Sequence, residues 1–128
     1  MNTARDKIRA ELLLNAAAGD ELPITAVDYY VTQQHPSAAV SDVQDETLAT
    51  IRSLADDGLV VLGAMSGKGG RWEAWNEPID ESMQRIADLY VTHYDDRPLW
   101  VFSSWIKLTD KGREAVETLQ ASSKGSPA

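Results

Sequence analysis

An α+β domain of about five helices and a small antiparallel sheet is predicted by three features of the sequence. Apolar residues recur at helical spacing in several segments that open on Ser, Thr or Asp and close on glycine or proline. Residues 59–65 form a β-rich apolar run, followed by a glycine-rich turn at 66–70 and an aromatic run at 71–75, the pattern of a hairpin. The 128 residues suffice for one buried core and not for two ordinary domains. Residues 1–121 are expected to form that domain, and the small, polar residues 122–128 a flexible tail.

Each element has a local reason. Thr3 with Asp6 three positions on resembles a capping box, and Ile8, Leu12 and Ala16 continue a helical stripe that Gly19 should stop. Residues 22–24 contain Pro23, which admits only an edge strand or an extended link. Thr25 and Asp28 restart a helix carrying Val27, Tyr30 and Val31, and it should dissolve near His35, the residue before Pro36. Ser41 with Gln44 forms a second capping box. From there Val43, Thr47, Leu48, Ile51, Leu54 and Ala55 make one buried stripe up to Gly58. Pro78 and Asp80 open a fourth helix with Met83, Ile86, Ala87, Tyr90 and Tyr94 on one face, broken at residues 95–98. Over residues 100–108 alternation would place Trp100, Phe102, Ser104, Ile106 and Leu108 on one side of a further strand. Thr109 caps a last helix with Ala115, Val116 and Leu119 inward.

The net charge is −8, and it is unevenly placed. Residues 21–65 set Glu21, Asp28, Asp42, Asp45, Glu46, Asp56 and Asp57 against Arg52 alone. Such a surface repels nucleic acid and anionic membranes and favours a basic partner. The absence of cysteine removes disulfides, thiol catalysis and cysteine zinc sites. With no apolar run of signal or spanning length in residues 1–20, the expected location is the cytoplasm, away from the membrane.

Helix, link, helix, the segment IRSLADDGLVVLG and the hairpin that follows resemble the winged helix-turn-helix domains of MarR-like and PadR-like bacterial regulators. LTDKGREAVETL, residues 108–119, is similar to the start of the helix that often follows such a wing. The likeness covers roughly residues 3–75, and it implies a winged-helix-like fold and, as one reading, DNA-binding transcription regulation. On that reading the N-terminal part of the helix starting at Ser41 reads bases and the wing holds phosphate. The positions so implied are Ser41, Asp42, Gln44, Asp45 and Thr47 on the helix, with Lys68 and Arg71 on the wing. Asp42 and Asp45 subtract from phosphate affinity at the place where it is needed. Residues 80–108, an added helix and strand after the wing, depart from the pattern as well. A DNA-binding regulator would need a contiguous positive strip, built from Lys68 and Arg71 with Arg52 or with Arg5, Lys7 and Arg9. A homodimer could assemble one from two wings.

Other candidates have bland readings. The Lys68 loop lacks the spacing and following hydroxyl residue of a phosphate-cradling loop and joins two strands, so it reads as a hairpin turn. His35 and His93 each lack a metal-spaced second histidine, and adjacent pairs such as Asp95-Asp96 diverge by about 100° on a helix and do not form a catalytic dyad. Trp75 and Trp100 are expected in the core, with Trp72 or Trp105 a candidate for an interface aromatic. No catalytic residue, cofactor or metal is implied. The favoured expectation is a non-enzymatic protein-interaction module, of inhibitor, immunity or adaptor type, that presents Asp42, Asp45, Glu46, Arg52, Asp56 and Trp72 to a basic protein. DNA regulation through Gln44, Thr47, Lys68 and Arg71 is the alternative.

Overall fold

A computed structural model describes residues 3–65, 71–101 and 103–124. Among these the chain forms α1 (Thr3–Ala16), β1 (Glu21–Pro23), α2 (Ile24–Gln34), α3 (Val40–Asp56), β2 (Val60–Met65) and β3 (Trp72–Ala74). It continues through α4 (Ile79–Tyr90), α5 (Arg97–Trp100), β4 (Trp105–Leu108) and α6 (Asp110–Lys124). The fold is α+β, with the strands in one antiparallel sheet ordered β1-β4-β2-β3. Helix α2, helix α3 and the β2–β3 hairpin follow one another as in a winged-helix-like arrangement. No helix of the described residues is long and apolar enough to cross a membrane.

Two helices end, and a third begins, for reasons visible in their hydrogen bonds and dihedral angles. Helix α3 stops at Gly58, whose φ of 75° lies in the left-handed region. There the Leu59 N–H donates to the Leu54 carbonyl and the Gly58 N–H to Ala55, which satisfies two otherwise orphaned carbonyls. Helix α1 ends earlier than Gly19, and Asp20 is the residue that takes a left-handed φ, 68°. Its carbonyl accepts from Leu108 N–H, so this turn fastens α1 to β4. Thr109 caps α6 as expected: its Oγ1 accepts from the Gly112 N–H at 3.0 Å.

Several expectations are corrected. Ser41 is not the cap of α3; the helix starts one residue earlier, behind an extended Ala39 that makes no side-chain cap bond. The segment 100–108 is not one strand. Pro98 stands in the first turn of α5, where its fixed φ and missing N–H are tolerated, so Trp100 ends a short helix and only Trp105–Leu108 is extended. Within that shorter strand the alternation holds, with Ile106 and Leu108 buried, and Ser104 just before it is buried too. Phe102 lies outside the described residues. Helix α6 runs through Lys124, into the segment expected to be a tail, and residues 125–128 lie outside the described residues. Trp100 is in the core as expected, whereas Trp75 is half-buried at its edge.

Strand β4 does not extend the hairpin from outside. It sits between β1 and β2, pairing Ile106 with both Leu22 and Leu62. The core therefore joins α1 (Ile8, Leu12), α2 (Val27, Val31) and α3 (Ile51, Leu54) to residues contributed after the hairpin, chiefly Ile86, Tyr90, Trp100 and Ile106. Trp100 is locked by the ring of Tyr90 at 4.8 Å, the stacked ring of Tyr94 at 5.4 Å and an Nε1–H bond to the Tyr94 carbonyl at 2.8 Å.

At the start of α6, a Cβ built on Gly112 would come within 2.1 Å of the Leu59 carbonyl oxygen, part of the backbone. Alanine normally stabilises a helix interior by up to about 1 kcal/mol over glycine. Gly112→Ala is expected to do the opposite and lose about 1–3 kcal/mol, measured by urea unfolding; a gain in stability would contradict this packing.

Candidate interaction surface

Helix α3 is wedged between three neighbours, and this decides which of its residues can meet anything outside. Helices α1 and α2 lie on two flanks, and α4 covers a third. Gln44 Nε2 donates to the Tyr90 carbonyl at 3.4 Å, at one end of α4, while Arg52 pairs with Asp80 at its other end. The two helices therefore run antiparallel, side by side.

That packing removes Gln44 and Thr47 from the five base-reading positions the resemblance implied, and leaves Ser41, Asp42 and Asp45 exposed. Gln44 keeps only 7% of its surface and Thr47 none. Neither is available to a nucleic acid, because both face the helix that the sequence adds after the wing. Tyr90 is the centre of this buried polar patch. Its hydroxyl donates to the Asp28 carboxylate on α2, and burial first, then that carboxylate, raises its pKa far above the ordinary tyrosine range. Thr47 Oγ1, also buried, makes no hydrogen bond of good geometry.

The acidic residues of α3 divide into two sets. Glu46, expected on the outward face, turns to α1: its Oε2 accepts from Arg5 Nε at 2.7 Å and its Oε1 from Arg5 Nη2 at 2.9 Å, and Thr50 Oγ1 donates at 3.1 Å. The Arg5 hydrogen bonds hold the Glu46 carboxyl below its ordinary range, against the opposing effect of burial. Asp57 pairs with Arg9 on α1 at 2.6 Å. Asp42, Asp45 and Asp56 remain exposed, Asp56 with Arg52 at 3.6 Å.

Three acids that the reading of the helix starting at Ser41 did not include join this surface. Asp80, Glu81 and Asp88 are all exposed on α4, and Asp88 accepts from Gln84 Nε2 at 2.8 Å. The signal was present in the sequence: Glu81 and Asp88 stand seven apart, two helical turns, in a segment of negative charge. Trp72 does not belong to this surface. It is half-buried on β3, its ring over Gly63 and beneath the Lys107 ammonium at 5.7 Å.

The cations of the required positive strip are largely committed elsewhere. Arg5 and Arg9 pair with carboxylates of α3, and Arg52 with Asp80 and Asp56. Arg71 is exposed beside β3, and Lys68 lies outside the described residues. His93 is exposed in the turn after α4, and His35 lines a small concavity with Asp42 and Glu46. No group of three metal-ligating side chains occurs among the described residues. No protein family, curated protein or solved structure matches this chain.

Because the Glu46 carboxyl is held low in the folded chain, its contribution to stability is complete above the ordinary carboxylate value of about 4.3 and is lost as pH falls through the lower folded value. Glu46→Gln is expected to cost about 1–2 kcal/mol at pH 7 and to weaken the loss of stability in acid. Chemical unfolding at pH 7 and pH 3 checks both, and an unchanged acid dependence would show that the Arg5 pair does not contribute.

Proposed function

We propose that the protein is a non-enzymatic interaction module that binds a basic protein through the acidic outer surface of α3 and α4. One observation carries this reading: α4 covers α3, so Gln44 and Thr47 are buried while Asp42, Asp45, Asp80, Glu81 and Asp88 stay exposed. A helix so flanked keeps Gln44 and Thr47 from a DNA major groove, and its outer edge has the wrong sign for phosphate. A surface of one sign attracts a partner of the other at long range and disfavours anionic competitors. Inhibitors, immunity proteins and adaptors act through contacts of this kind, without chemistry at the bound face.

The test is a pair of titrations at low salt, one with a lysine-rich basic protein domain and one with random-sequence duplex DNA. Binding to the basic domain is expected, weakening with added salt and falling at least several-fold in an Asp42→Asn, Asp45→Asn, Asp88→Asn variant. Micromolar affinity for the duplex with a steep salt dependence would instead favour the DNA-binding regulator, and loss of that affinity in Arg71→Ala would place the contact at the hairpin.

A further inference from the structure

Between α3 and α4 runs an open groove whose floor is apolar. Leu48 and Ala49 form one wall and Met83 and Ala87 the other, with the Arg52–Asp80 ion pair closing one end. At the opposite end of the helix pair stand two exposed apolar side chains, Val40 at 53% and Val91 at 41%. The small side chains of Ala49 and Ala87 lower the walls, so a partner's backbone can come close.

The rims are acidic on both sides. Asp45 lies one turn from Leu48 and Ala49 on α3, and Asp88 one turn from Gln84 on α4. Glu81 borders a second concavity that shares Gln84 with the groove. The groove follows α3 from Leu48 to Arg52 and α4 from Asp80 to Ala87, and the longer of these, seven residues' rise or roughly 10 Å, is about two turns of a helix.

Resting on the acidic-surface reading above, we infer that this groove receives an amphipathic basic helix along about two turns, its apolar stripe on Leu48 and Met83 and its Lys or Arg residues on the two acidic rims. The walls are helices whose backbone groups are already paired within themselves. They offer nothing to the unpaired amides of an extended peptide, whereas a helix brings its own hydrogen bonds and needs only side-chain contact. Charge on both sides of an apolar seam selects for cations flanking the partner's stripe, not for a uniformly charged chain.

Two peptides of identical length, charge and Leu/Lys composition test this. In one the leucines recur at i, i+3, i+4 and i+7; in the other they are scattered. The patterned peptide is expected to bind the protein at least ten-fold more tightly and to shift the methyl resonances of Leu48, Ala49, Met83 and Ala87. An Ala49→Arg, Ala87→Arg variant, altered at two partly exposed positions and checked for an unchanged circular dichroism spectrum, should lose that advantage. A Glu114→Gln, Glu117→Gln variant on α6 should retain it. Equal binding of both peptides that is lost in the Asp42→Asn, Asp45→Asn, Asp88→Asn variant would overturn the groove and leave the acidic-surface reading standing. Methyl shifts confined to other elements would also overturn the groove, and failure of both peptides to bind at low salt would overturn both readings.

Discussion

The burial of Tyr90 is the constraint on which the rest of the arrangement depends. Its ring is fully enclosed, its hydroxyl reaches Asp28 on α2, its carbonyl receives Gln44 from α3, and its face meets Trp100. One side chain and its own peptide group thus tie α4 to three other helices, α2, α3 and α5. A tyrosine is suited to this because its apolar body packs while its hydroxyl needs a partner, and the partner's position fixes which way the ring enters. Helix α4 can be docked in one register only, and with α4 in place the exposed and hidden faces of α3 are decided.

Strand β4 imposes the same kind of commitment on the sheet. Because it lies between β1 and β2, the hairpin cannot join the N-terminal strand until the segment after α4 has been placed. The part of the chain that departs most from the winged-helix pattern is therefore structural, supplying Ile86, Tyr90, Trp100 and Ile106 to the common core. An added helix and strand that merely decorated a finished domain would have left the recognition position of α3 open. Here they close it.

The sequence was legible where a residue type has a single physical use. Gly58 ended α3, Thr109 capped α6, and the hairpin strands followed their β-rich runs. It was less legible where two uses compete. Trp100 fits an alternating strand as well as a helix end, and only the stacking on Tyr94 and the tolerance of the first helical turn for Pro98 choose between them. On α3 Thr47 is buried in the stripe as expected, but Gln44 and Thr50 are buried as well, since the helix has neighbours on three sides and its hidden arc is wider than that stripe. A stripe of apolar residues marks the minimum that must be covered, and nothing in α3 itself states which polar positions a later helix will cover. Glu46 illustrates the same limit, for it stands one step of the helix from Asp45, carries one more methylene and has Arg5 opposite.

Charge on this protein is sorted by geometry more than by composition. Arg5 and Arg9 project from α1 onto one edge of α3 and neutralise Glu46 and Asp57 there. The outward face keeps Asp45 and Asp56, with Asp42 one turn before Glu46, and α4 adds the exposed Glu81 and Asp88. Fields from like charges within about a Debye length, some 8 Å at physiological salt, add before they are screened, which on the proposed reading is what draws a basic partner to this face. Attraction alone would make a sticky surface without preference. Setting the apolar floor of Leu48 and Met83 between the acidic rims adds a short-range requirement for shape, because area removed from water stabilises only a partner that fits. On the proposed reading the two together give a surface that gathers a basic partner from a distance and selects for its shape on contact.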